Sequence, residues 1–121
     1  MTAVLDQAEA AAVPLPRAYG YMRVPCDVAD EQVHQLEQEV VAYAETHGLF
    51  FAGFFFEFNC GSREAFDELV AELVRADVHY VVVPSLRHLA HNAILQELML
   101  EQLSFAARAR VLAMRLRTVI E

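Results

Sequence analysis

The chain has 121 residues, is 56% hydrophobic and 21% charged, and carries a formal net charge of −8. This length and composition fit one folded domain with a real core, and they exclude a disordered chain or a pair of domains. All nine basic residues are arginine, and so acidic a domain repels a polyanion such as DNA unless its arginines gather on one face.

Residues 1–17, MTAVLDQAEAAAVPLPR, contain Asp6 and Glu9 and no basic n-region, so they do not form a secretory signal. They are expected to be a flexible tail ahead of a single domain over 18–121. No apolar run approaches the roughly 20 residues that span a bilayer, so no membrane partner is expected and the cytoplasm is the default location. In that compartment Cys26 and Cys60 are expected to be free thiols. Residues 18–24 (AYGYMRV) form the first predicted strand, stopped by Pro25. A helix capped by Asp27 or Asp30 runs to His47 and ends at Gly48, with Val33, Leu36, Val40 and Ala44 on its core face. Residues 49–58 form a second strand, apolar on both faces, that holds six of the eight phenylalanines. After the loop 59–62, with Ser62 as a cap, Phe66, Leu69, Val70, Leu73 and Val74 mark a second amphipathic helix. A short apolar strand follows at 80–85, then a helix from about Leu86 to Phe105 whose Leu89, Ile94, Leu98 and Met99 are assigned to the core. A final strand covers 109–115. The order βαβαβαβ predicts a three-layer α/β fold with a mostly parallel sheet of about four to five strands and helices on both faces. Ligands of such sheets bind beyond the carboxyl ends of the strands, where strand order reverses. That directs attention to residues 25–27, 57–62 and 85–88.

Three segments at those strand ends carry a resemblance. YGYMRVPCD, from Tyr19, resembles the YxYxRVSTD opening of resolvase/invertase-type serine recombinase catalytic domains. CGSREAFDEL, from Cys60, resembles their SGxxRxxLxxL loop, and VVVPSLRHLAH, from Val81, resembles VVVxSLDRLxR. The resemblance spans roughly residues 18–114. It implies a resolvase-like fold and an active site in which a serine attacks a DNA phosphate while arginines neutralise the transition state. Arg23 and Arg63 match family arginines, Gly61 the loop glycine, Glu57 an acidic position and Ser85 the serine of the third motif. The nucleophile position holds Pro25, the third-motif aspartate is Arg87, and the two following arginines are His88 and His91. Proline has no hydroxyl, and a neutral histidine lacks the planar fork that grips phosphate oxygens. DNA strand cleavage is therefore not expected. The family's long dimerisation helix and its helix-turn-helix are also expected to be lacking, because the chain stops at Glu121.

The remaining candidates each have an ordinary structural alternative. Cys26 beside the nucleophile position is a small apolar residue unless a base pairs with it, and Cys26 with Cys60 would be a redox pair only if the loops meet. His88 and His91, three apart on the predicted helix, could share a ligand, but two histidines alone make a poor metal site. Arg23, Arg63, Ser85 and Arg87 are the candidate vestigial anion site, unless Asp27, Glu57 or Glu64 hold the arginines in salt bridges. No cofactor or metal is expected. The leading functional expectation is a catalytically inactive recombinase-like module that binds a protein partner or itself. One alternative is an accessory DNA-recombination protein, with weak DNA binding. Another is a phosphate- or small-molecule-binding α/β domain. The Phe-rich second strand lies at the sheet edge in the family, so it is the expected surface for self-association.

Overall fold

The computed structural model describes residues 15–24, 29–58 and 63–115. Pro25, Cys26, Asp27, Cys60, Gly61 and Ser62, and nearly all of the expected N-terminal tail, lie outside the described residues. Within them, four strands alternate with three helices: β1 Arg17–Arg23, α1 Asp30–Thr46, β2 Phe50–Glu57, α2 Glu64–Ala76, β3 Tyr80–Ser85, α3 Ala93–Ala107 and β4 Arg110–Arg115. All paired strands are parallel and the order is β2-β1-β3-β4. This is the expected α/β architecture. No helix among the described residues is long and apolar enough to cross a membrane.

Alternation along the strands divides the core between the two faces of the sheet. On one face Tyr21, Val81 and Val83 pack with Phe66, Leu69 and Leu73 of α2 and with Met99 and Leu103 of α3. On the other, Ala18 and Val82 pack with Val40 and Ala44 of α1. Side chains of this size contribute about 1.5–3 kcal/mol each when fully buried. α1 has no side-chain cap; Ala29 occupies the N-cap position and Asp30, one of the two expected caps, is instead the first helical residue. Asp30 and Glu31 in that first turn still face the positive end of the helix dipole. The helix closes at Gly48, whose φ of 75° a side chain would disfavour.

β2 is an edge strand, as the resemblance implies. A bulge at Ala52 shifts its register against β1, since Ala18 pairs with Phe51 and Tyr19 with Gly53. The shift aligns Phe51, Phe54, Phe56 and Phe58 in one row, with centroids 4.6, 5.2 and 5.8 Å apart. Phe51 and Phe54 pack against the α1-side core, and Phe55 meets Tyr19 edge-on at 5.4 Å on the other face. Gly20 makes this possible: a Cβ there would stand 2.8 Å from Phe54 and 2.9 Å from Phe51. Only Phe50 and Phe58, near the strand's ends, are largely exposed.

Two expectations for the third helix are corrected. Leu86–His88 form a 3-10 turn and the α-helix starts only at Ala93, where the Asn92 side chain accepts from the Leu95 amide at 2.8 Å. Ile94 and Leu98 are not core: they are 74% and 55% exposed, and Phe105 is 82% exposed. Met99, Leu103 and Ala107 cover the sheet, and these apolar residues on the opposite side of α3 are left exposed among the described residues.

Candidate functional site

From β1 the chain moves outward to β2 and returns on the other side as β3, so strand order reverses between β1 and β3. Their mutual pairing comprises only Tyr19 with Val81 and Gly20 with Val82. Beyond it, a cleft of about 400 Å³ opens at the carboxyl ends, within the roughly 300–1,000 Å³ range of small-molecule pockets. Met22 of β1, Val24 just after it, and Val33 and Leu36 of α1 form apolar walls. Arg23, Gln32, Ser85 at the end of β3, and Arg87, His88 and His91 complete the lining among the described residues.

Arg23 fastens the turn after β3 to β1. Its backbone N–H donates to His88 Nδ1 at 3.1 Å. Its guanidinium donates to the His88 carbonyl at 3.4 Å, the Leu89 carbonyl at 3.1 Å and the Tyr21 hydroxyl at 3.3 Å. Burial, reinforced by Arg115 and Arg23, lowers the His88 pKa to about 4. The ring is therefore neutral near pH 7, and because Nδ1 accepts, its proton resides on Nε2. Ser85 is 7% exposed, and its hydroxyl has no hydrogen-bond partner among the described residues.

Behind Arg23 lies a buried network. The Tyr21 hydroxyl donates to Glu57 Oε1 at 2.7 Å, and the Glu57 carboxylate accepts the Ala65 and Phe66 amides, both at 3.1 Å. Burial, together with this hydrogen bond, pushes the Tyr21 pKa far above its usual value. Glu57 thus caps α2 from the preceding strand, taking two amides that the helix cannot satisfy and setting negative charge on its dipole.

The sequence candidates separate in space. Arg23 borders both the main cleft and a smaller one of about 170 Å³, which Arg63, His91 and Met99 also line. Arg63 donates to Gln102 at 3.1 Å and lies over the Phe66 ring, 5.7 Å from its centroid. Arg87 lines only the main cleft among these, so Arg23, Arg63 and Arg87 do not share one pocket. His88 and His91 are not on a common helix, as expected from the sequence, but on the turn before α3; His88 is half-buried and His91 exposed. Sequence reasoning missed the capping role of Glu57, for which there is no local signal. It also missed the helix start at Asn92, which a capping residue ahead of an apolar run does signal.

No family model matches the chain, and no curated protein matches it. Among solved structures it is similar to the N-terminal catalytic domain of TP901-1 integrase, with a TM-score of 0.62 at 16% identity, over 81% of this chain and 76% of that one. The chain has the fold of a serine recombinase catalytic domain.

Proposed function

We propose that this recombinase-fold domain does not cut DNA and works by associating with another chain, in the first instance a second copy of itself. The observation that carries the reading is the outward face of α3, where Ile94, Leu98 and Phe105 are exposed on a helix whose other face is already committed to the core. Contiguous exposed apolar surface of this kind marks interaction sites. Two copies of α3 related by a two-fold axis and packed antiparallel would bring Ile94 of each opposite Phe105 of the other, a self-complementary arrangement.

The chemistry of the strand ends supports the non-cleaving half of the reading. Pro25 supplies no nucleophile. At the position where the resemblance expects a phosphate-gripping arginine, His88 is neutral and its Nδ1 is engaged by a backbone amide. The Arg23 guanidinium ties down two backbone carbonyls. A transition state with growing negative charge would meet little preorganised positive charge there.

Light scattering after size exclusion tests the association, and denaturing electrophoresis after incubation with supercoiled plasmid tests the chemistry. A dimer and no protein–DNA adduct are expected. A monomer at tens of micromolar would overturn the first half, and a covalent adduct the second.

A further inference from the structure

The main cleft is lined both by hydrogen-bond donors and by hydrocarbon. Ser85 contributes a hydroxyl that is nine-tenths buried and unpartnered among the described residues. Next to it, the neutral His88 ring keeps Nδ1 for the Arg23 amide, which leaves Nε2–H free to donate. Arg87, exposed at the mouth, adds a forked cation. No carboxylate is among the described residues that line the cleft. The apolar part of the lining is Met22, Val24, Val33 and Leu36. Val33 and Leu36 lie on the same stripe of α1 as the wholly buried Val40 and Ala44, yet they are only half-buried, and among the described residues they face the cleft.

We propose that this cleft binds a small amphipathic monocarboxylate, its head on Ser85, His88 and Arg87 and its apolar body against Val33 and Leu36. The donor set selects the head group: of the two guanidiniums that line the cleft, Arg23 is bound to the His88 and Leu89 carbonyls, so the exposed Arg87 with the Ser85 hydroxyl and the neutral His88 imidazole matches a planar monoanion, whereas a phosphate dianion calls for more charge. The walls select the body, since a nucleic-acid phosphate brings no hydrocarbon to cover them. The inference is independent of self-association through α3, which lies outside this cleft.

The test is titration of the isotopically labelled full chain, followed by amide chemical shifts and calorimetry. The probes are octanoate, acetate, octylamine and octyl phosphate. Octanoate should saturate with shifts centred on Leu36, Ser85, Arg87 and His88, and bind at least about tenfold more tightly than acetate or octylamine. Arg87→Ala, at an exposed position, should weaken octanoate by about fivefold or more without changing the melting temperature of the free protein. Leu36→Trp, which fills the cleft, should abolish binding. No saturation by millimolar octanoate, equal binding of octylamine, tighter binding of octyl phosphate, or shifts confined to α3 would each overturn the proposal.

Discussion

At His88 the ring accepts the Arg23 amide through Nδ1, and it can do so only while that nitrogen is unprotonated. The folded-state pKa of about 4 lies below the ordinary 6.5, with burial as the main cause. The unfolded chain therefore takes up a proton at higher pH than the folded one does. The stability tied to the neutral ring is complete above the ordinary value and is lost as pH falls from 6.5 towards 4. Linkage sets the loss at no more than about 1.4 kcal/mol per pH unit, on the order of 2–3 kcal/mol over the window once partial solvent screening is allowed for. His88→Asn keeps an acceptor near Nδ1 and removes the titration. Urea unfolding at pH 7.5 and pH 5 should show a smaller loss in the variant than in the wild type, and equal losses would mean the ring does not titrate as described. Glu57 poses a different problem, because Glu57→Ala strands the Tyr21 hydroxyl and two helix amides in a site that is 3% exposed. At about 1–3 kcal/mol for each unsatisfied group, it is expected to destabilise by several kcal/mol, read from the same urea curves. Gly20→Ala should cost about 1–3 kcal/mol, because the Phe51 and Phe54 rings it would strike are held by their own packing.

Among the elements, α3 and β2 compete as surfaces for another chain, and substitution can separate them. β2 leaves one backbone edge unpaired among the described residues, but Phe54 and Phe55 pack inward. Phe54→Lys is therefore expected to lower stability by about 3 kcal/mol or more, as core truncations do, before it alters any assembly. Leu98→Lys touches no core residue's packing and should leave stability within about 0.5 kcal/mol while converting the dimer to monomer in light scattering. A dimer that survives Leu98→Lys together with Ile94→Lys would move the interface away from α3. The same two elements show how far the sequence could be read. The strand–helix order and the edge position of β2 were legible, the first from apolar runs alternating with helical periodicity and the second from the family resemblance. The fate of α3's side chains was not. A helix apolar on both sides looks the same in sequence whether its second face meets a core or solvent, and only the arrangement of β2, β1, β3 and β4 shows that Ile94 and Leu98 are exposed among the described residues. The candidate site was half legible: the motifs located the strand ends, while the cleft depends on β1 and β3 separating after two residue pairs.

Across the whole molecule, net charge is legible in the sequence but its distribution requires the fold. Eight of the nine arginines are among the described residues. Arg23, Arg63, Arg87 and Arg115 lie towards the carboxyl ends of the strands, and Arg17, Arg75, Arg108 and Arg110 towards the opposite end. The positive charge is thus divided between two ends of the sheet. At the carboxyl end it is further offset, because α1 and α2 begin there with Asp30, Glu31, Glu64 and Asp67 in their first turns. Arg115 lies 3.7 Å from Glu39, and Arg23 is bound to backbone carbonyls. A duplex laid across the strand ends would displace few counterions, and counterion release supplies most of the nonspecific affinity. Fluorescence anisotropy with a labelled duplex should therefore give a dissociation constant weaker than about 10⁻⁶ M near physiological salt, where even basic proteins bind nonspecifically at about 10⁻⁴–10⁻⁶ M. The slope of log K against log salt should be shallow, since each phosphate contact contributes about −0.9. Sub-micromolar binding with a slope steeper than about −4 would require a continuous basic track. Neither end of this sheet provides one among the described residues.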